Sequence, residues 1–165
     1  MGPGYEQLAA VNPRFIMVRV SGFGQEGRYH RLPGYDRIGM AMGGLSYLTG
    51  FPDHPPVRPG LAVCDYSSAF FAALAALIAV HYRDAHGTGR GQMIDVALYE
   101  SVLRTFHYHL AAYEKLGIIA ERTGNMNPGQ VPGDNFLTKD GKWVVRGAQG
   151  QRDGVGGGFA EVPPH

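Results

Sequence analysis

Carboxylates at the heads of two helical stretches are the residues in this chain best suited to chemistry. Asp65 stands immediately before the alanine-rich run Tyr66 to Tyr82, and Tyr35-Asp36 stands before a second, glycine-bearing run that ends near Leu48. A carboxylate at a helix N-terminus faces unsatisfied amides and the positive end of the helix dipole, which favours its ionised form. An ionised carboxylate attacks an acyl carbon without a general base. The plainer role for Asp65 is to cap the helix by accepting a hydrogen bond from the Ser67 or Ser68 amide, and the two roles are compatible. Tyr35 has the same kind of plain alternative as a packed aromatic, and Asp36 as a solvated cap of its own helix.

Other reactive side chains fit less well. Cys64 adjoins Asp65, but Leu61, Ala62 and Val63 make its setting apolar, which raises a thiol pKa and suits a small core residue. His81 with His86, and His107 with His109, are spaced i, i+5 and i, i+2. Those spacings do not put two imidazoles on one helical face, and no carboxylate or cysteine completes a metal set, so no metal site is expected. Gly87, Gly89 and Gly91 precede a strand instead of following one and opening a helix, which argues against a dinucleotide fingerprint.

The elements that must position these groups are readable from pattern. Residues 15–20 (FIMVRV) form an expected buried strand, followed by a polar, glycine-punctuated loop over residues 21–34 that delivers the chain to Tyr35-Asp36. A helix is expected over residues 36–48, weakened by Gly39, Gly43 and Gly44 at about 1 kcal/mol each relative to alanine, unless those glycines permit close backbone approach. Residues 50–60 carry four prolines and read as a stiff connector. Residues 66–82 form the strongest expected helix, apolar on nearly all sides and suited to burial in an α/β layer. A tight turn (GTGRGQ) leads to a strand at residues 93–97 and a helix over 98–117. Residues 135–138 and 142–146 flank Asp140-Gly141, a favoured pair for a two-residue hairpin turn. From Ala148 the glycine-rich text loses hydrophobic period and no packed structure is expected.

Composition narrows the partners. With 165 residues, 44% hydrophobic and 18% charged, the chain has the makings of an ordinary globular core. A net charge of +1 creates no field that would draw in nucleic acid or a membrane surface. One cysteine excludes an intrachain disulfide framework and fits a reducing compartment, so the expectation is cytoplasmic. No secretory signal is visible, and the longest apolar run, residues 69–80, is shorter than the ~20 residues that span a bilayer.

Four blocks, taken in order and spacing, carry a resemblance: NPRFIMVRVSGFGQEGRY, PGYDRIGMAMGGL, VRPGLAVCDYSSAFFAALAAL and GTGRGQMIDVALYESV. Over residues 1–146 the chain resembles the family III CoA-transferases, also called the CaiB/BaiF family. The resemblance implies an α/β segment of a Rossmann-like large domain leading into the start of a small α+β domain. Residues 1–97 would be the C-terminal part of the first large-domain segment, 98–133 a linker helix and loop, 134–147 the small domain's opening hairpin, and 148–165 an irregular tail. It implies Asp65 as the catalytic nucleophile, forming an aspartyl anhydride and then an aspartyl-CoA thioester. Pro33, Gly34, Tyr35 and Asp36 match positions that bind CoA or substrate. Coenzyme A and acyl-CoA would be substrates, with no permanently bound cofactor, and a carboxylic acid would be the acceptor.

The similar α-methylacyl-CoA racemases carry a histidine where Tyr35 stands, and a phenol with a reference pKa of about 10 is a poor substitute in α-proton transfer. An isomerase is therefore the first alternative to acyl transfer, and an inert remnant the second. Family members are longer, lack a counterpart to the text after Gln151, and form interlocked homodimers. The expectation is that this chain neither reproduces that dimer nor transfers CoA efficiently alone.

Overall fold

In the computed structural model the described residues are 2–106, 108–128, 133–148 and 157–162, with only the backbone of 148 and 157–162 included. They separate into two compact units, one of residues 1–46 and 59–119, the other of residues 47–58 and 120–165. The first unit extends to Ile119, because the helix following residue 97 packs back on the helices before it.

The first unit is built on one parallel strand pair. Strand β1 (Met17–Ser21) runs beside β2 (Met93–Ala97), with Met17 opposite Met93 and Ser21 opposite Ala97. Gly91 makes this pairing possible: its N–H donates to Pro13 O at 2.8 Å, and a Cβ there would lie 1.8 Å from Phe15 O. Before the sheet comes a short helix, α1 (Tyr5–Val11), which the hydrophobic pattern does not announce. Between the strands lie α2 (Asp36–Met42), α3 (Leu45–Leu48) and α4 (Val63–Ala85); α5 (Leu98–Leu103) and α6 (His109–Leu116) follow. Among the described residues this unit is thus mixed α/β, with one two-stranded parallel sheet and its helices.

The helix expected over residues 36–48 is broken where its glycines are. Gly43 caps α2 and Gly44 takes φ +86°, so the chain turns before α3 begins. The glycines do admit close approach: a Cβ on Gly39 would meet Cys64 Sγ at 2.9 Å and Leu98 Cβ at 3.2 Å. Met40, Cys64, Leu98 and Val102 form the buried cluster where α2, α4 and α5 meet. The helix expected over 98–117 is likewise two helices, the second ended by Gly117 at φ +67°.

Helix α4 departs further from expectation. It has 23 residues, so by length and composition it could cross a membrane, yet in this unit it touches α2, α5 and both strands as the spine of the packing. Only Cys64, Ser68 and Ala79 along it are buried. Phe70, Leu74, Leu77 and Ile78 are exposed, so the expected burial of nearly all its sides does not occur within this chain.

The second unit contains an antiparallel sheet ordered β3 (Gly133–Leu137), β4 (Trp143–Ala148), β5 (Gly157–Val162). The hairpin between β3 and β4 falls at Asp140-Gly141, but as a three-residue loop: Gly141 N–H donates to Thr138 O, Gly141 takes φ +80°, and Thr138 N–H donates to Lys142 O. That is the geometry of a turn closed by a glycine bulge rather than a two-residue turn. Strand β5 lies in text expected to be irregular, because hydrogen bonding to β4 compensates for its weak pattern; residues 149–156 and 163–165 lie outside the described residues. The proline-rich connector also belongs to this unit. Gly124 N–H donates to Gly50 O at 2.9 Å, and Tyr47 Oη donates to Glu121 Oε2 at 2.6 Å, which pushes the Tyr47 phenol pKa up.

Candidate active site

The head of α4 is the centre of the site. The helix begins at Val63, three residues earlier than the apolar pattern indicated, so Asp65 is the third residue of the first turn and not its cap. Ala62 occupies the cap position and has no side-chain acceptor to offer. The Ser67 and Ser68 hydroxyls donate backwards to Cys64 O and Asp65 O at 3.1 and 3.0 Å. The capping role expected for Asp65 is therefore not observed, and its side chain is exposed at the positive end of the helix.

The missing cap comes from another helix. Asp36, the first residue of α2 and only 9% exposed, accepts the Cys64 N–H on its Oδ1 at 2.8 Å. Its Oδ2 is buried with no hydrogen-bond partner. Asp36 is thus neither solvated nor confined to its own helix; it brings Tyr35-Asp36 against Cys64-Asp65 through one charge-assisted hydrogen bond. Sequence reasoning missed this contact. The one local signal for it is a helix whose cap residue, Ala62, leaves the first amides in need of an acceptor from elsewhere.

The remaining expected site residues approach through the loop of residues 21–34. Gly22 and Gly34 cross so closely that a Cβ on either would lie 2.4 Å from the other's Cα, pinching the loop at its base. Asp95 Oδ2 accepts Gln25 N–H at 2.6 Å and ties the loop to β2. Pro33 is exposed, Gly34 half-buried, and Tyr35, the cap residue of α2, is 71% exposed. Pro33, Gly34 and Tyr35 therefore form an accessible rim leading to the buried Asp36.

Cys64 is fully buried, and burial, followed by the nearby charges of Asp36 and then Asp65, pushes its thiol pKa up to about 12. At neutral pH it is a protonated core residue, not a nucleophile. His81 and His86, expected to face apart, do meet edge to face with ring centroids 6.4 Å apart, since His86 lies past the helix end. Among the described residues no third metal-ligating side chain joins them; His107 lies outside those residues. A separate open groove of about 430 Å³ in the first unit is lined by Phe71, Leu74, Ile78, Ile94, Val96 and Arg104, and not by Asp65.

The family described as CoA-transferase family III matches residues 1–154. Succinyl-CoA–D-citramalate CoA-transferase of Chloroflexus aurantiacus is 48% identical over 147 residues, covering 89% of this chain and 36% of that protein. Acetyl-CoA:oxalate CoA-transferase of Acetobacter aceti is 36% identical, covering 88% of this chain and 37% of its own length. A CaiB/BaiF family protein from Brucella suis superposes with a TM-score of 0.78 at 33% identity, over 87% of this chain and 37% of that one. The chain belongs to the CoA-transferase family III. It spans little more than a third of the length of these relatives.

Proposed function

We propose that this chain carries the nucleophile-bearing part of an enzyme that moves CoA between carboxylic acids. The observation that carries the reading is the head of α4, where an exposed Asp65 sits at a helix N-terminus locked to Tyr35-Asp36 by the Cys64 amide. In the proposed reaction the Asp65 carboxylate attacks the thioester carbonyl and the carbon–sulfur bond breaks, leaving a mixed anhydride on Asp65 and free CoA thiolate. CoA thiolate then attacks the Asp65 carbonyl, releasing the donor acid and leaving an aspartyl-CoA thioester. The acceptor carboxylate attacks that thioester to form a second anhydride, and the freed CoA thiolate takes its acyl group, restoring Asp65. Water must be excluded, since either anhydride would hydrolyse.

Asp65 is exposed in this chain, so walls from further polypeptide are needed, and the isolated chain is expected to turn over poorly. Pro33, Gly34 and Tyr35 would supply part of the CoA contact. The names of the Chloroflexus relatives suggest succinyl-CoA as donor and a small hydroxydicarboxylate such as malate or citramalate as acceptor. A single, buried cysteine outside any disulfide supports a cytoplasmic setting for the reaction. The interlocked dimer implied by the resemblance would need the longer protein.

The test uses the 165-residue chain and a chimera in which it replaces its aligned span in the D-citramalate enzyme. Each is incubated with succinyl-CoA, quenched with hydroxylamine and mapped by mass spectrometry. The chimera is expected to yield a hydroxamate at Asp65 and to transfer CoA at least ~100-fold faster than the chain alone. Undiminished transfer by the Asp65→Ala chimera would refute the assignment.

A further inference from the structure

We infer that Asp36 is a positioning residue for Asp65, acting through the backbone of α4 rather than by binding CoA. The inference rests on the nucleophile assignment above, and it replaces the ligand-contact role that the family resemblance implies for Asp36. Three observations lead to it. Asp36 is nine-tenths buried, whereas its neighbour Tyr35 is largely open. Its Oδ1 is already engaged by the Cys64 amide, the residue directly before Asp65. The cap position of α4 is an alanine, so Cys64 N–H has no acceptor within its own helix.

The physical consequence is local. The first helical bond of α4 runs from Tyr66 N–H to Ala62 O at 3.1 Å, and Cys64 and Asp65 lie inside that first turn. Helix ends fray unless their free amides are satisfied. A frayed turn would let the Asp65 Cα drift, and misplacing a reacting group by about 1 Å costs roughly 100-fold in rate. Asp36 prevents this by fastening the turn to α2, and Gly39, one turn further along α2, allows the two helices to approach closely enough for the short carboxylate to reach. The unpartnered Oδ2 fits a group held for the reach of its other oxygen.

Amide hydrogen exchange on the full 165-residue chain tests the contact directly. Asp36→Ala is expected to accelerate exchange at Cys64 and Tyr66, whose amides donate to Asp36 and Ala62, by roughly tenfold or more, with β1 and β2 amides unchanged as the control for folding. Asp36→Asn keeps an acceptor at the same reach and is expected to restore protection. Asp36→Glu keeps the charge but overshoots and is expected not to restore it, a comparison that stands even if the alanine variant fails to fold. In the chimera, Asp36→Ala should lower kcat by roughly 100-fold with the KM for succinyl-CoA little changed, and Asn should recover most of it. Unchanged exchange in the alanine or glutamate variant, or a rise in KM alone, overturns the inference. Loss of the Asp65 assignment is a separate result, read from the Asp65→Ala chimera, and leaves the exchange measurement intact.

Discussion

At the scale of single residues the site contrasts two acidic groups adjacent in the chain. Asp65 is open to solvent, while Cys64 is sealed between α2, α4 and α5 with its thiol pKa pushed up to about 12. The reference value is 9.0, so above that pH the unfolded chain has lost a proton that the folded chain still holds. The contribution is therefore fully present below pH 9.0 and is lost as pH rises toward about 12, at a slope near 1.4 kcal/mol per pH unit. Urea unfolding at about pH 8, 9, 10 and 10.5 should show stability falling more steeply in the natural chain than in Cys64→Ala. The offset between the two reports the lost sulfur and its packing, and only the difference in slope reports the thiol. Equal slopes would mean that Cys64 titrates normally. The same thiol should resist iodoacetamide at about pH 8 by roughly a thousandfold relative to the urea-unfolded chain.

Elements obey their glycines more strictly than their hydrophobic pattern. Alanine at Gly39 would gain about 1 kcal/mol of helix propensity in α2, but its Cβ would strike Cys64 Sγ at 2.9 Å and Leu98 Cβ at 3.2 Å. Overpacking of this kind costs about 1–3 kcal/mol, so Gly39→Ala should be net destabilising in urea unfolding. Gly60, where an added Cβ would meet nothing within 4 Å, is the control, and Gly60→Ala should be neutral or slightly stabilising. Matching results for the two would show that α2 and α4 are free to separate. The same division explains what was legible in the sequence. The strands near residues 15–20 and 93–97, the long helix bearing Asp65 and the turn at Asp140-Gly141 are local patterns, and each is found within a few residues of its expected place. The break after α2 falls at its own Gly43 and Gly44, whereas the start of α4 at Val63 and the strand β5 depend on partners outside their own segments. Asp36 is the sharpest case, because its type and place at a helix head suggested a local cap, while its partner lies 28 residues away.

For the whole molecule, the exposed face of α4 decides how the chain behaves alone. Phe70, Leu74, Leu77 and Ile78 are between 56% and 74% exposed, and the sheet beneath has only two strands among the described residues. Parallel sheets are otherwise covered on both faces, and apolar patches of this kind mark surfaces that pack against something. The relatives supply an obvious source of cover, since this chain accounts for little more than a third of their length. One substitution should then have opposite effects in two settings. In the isolated chain, Leu77→Lys removes apolar surface from the open face and should reduce concentration-dependent self-association measured by sedimentation velocity. In the chimera, where added polypeptide covers α4, the same lysine is forced into an apolar contact and should lower the Tm by roughly 5–10 °C. A chimera that tolerates Leu77→Lys without loss of Tm would mean that this face stays open in the longer protein, and the walls around Asp65 would have to be sought on another side of the helix.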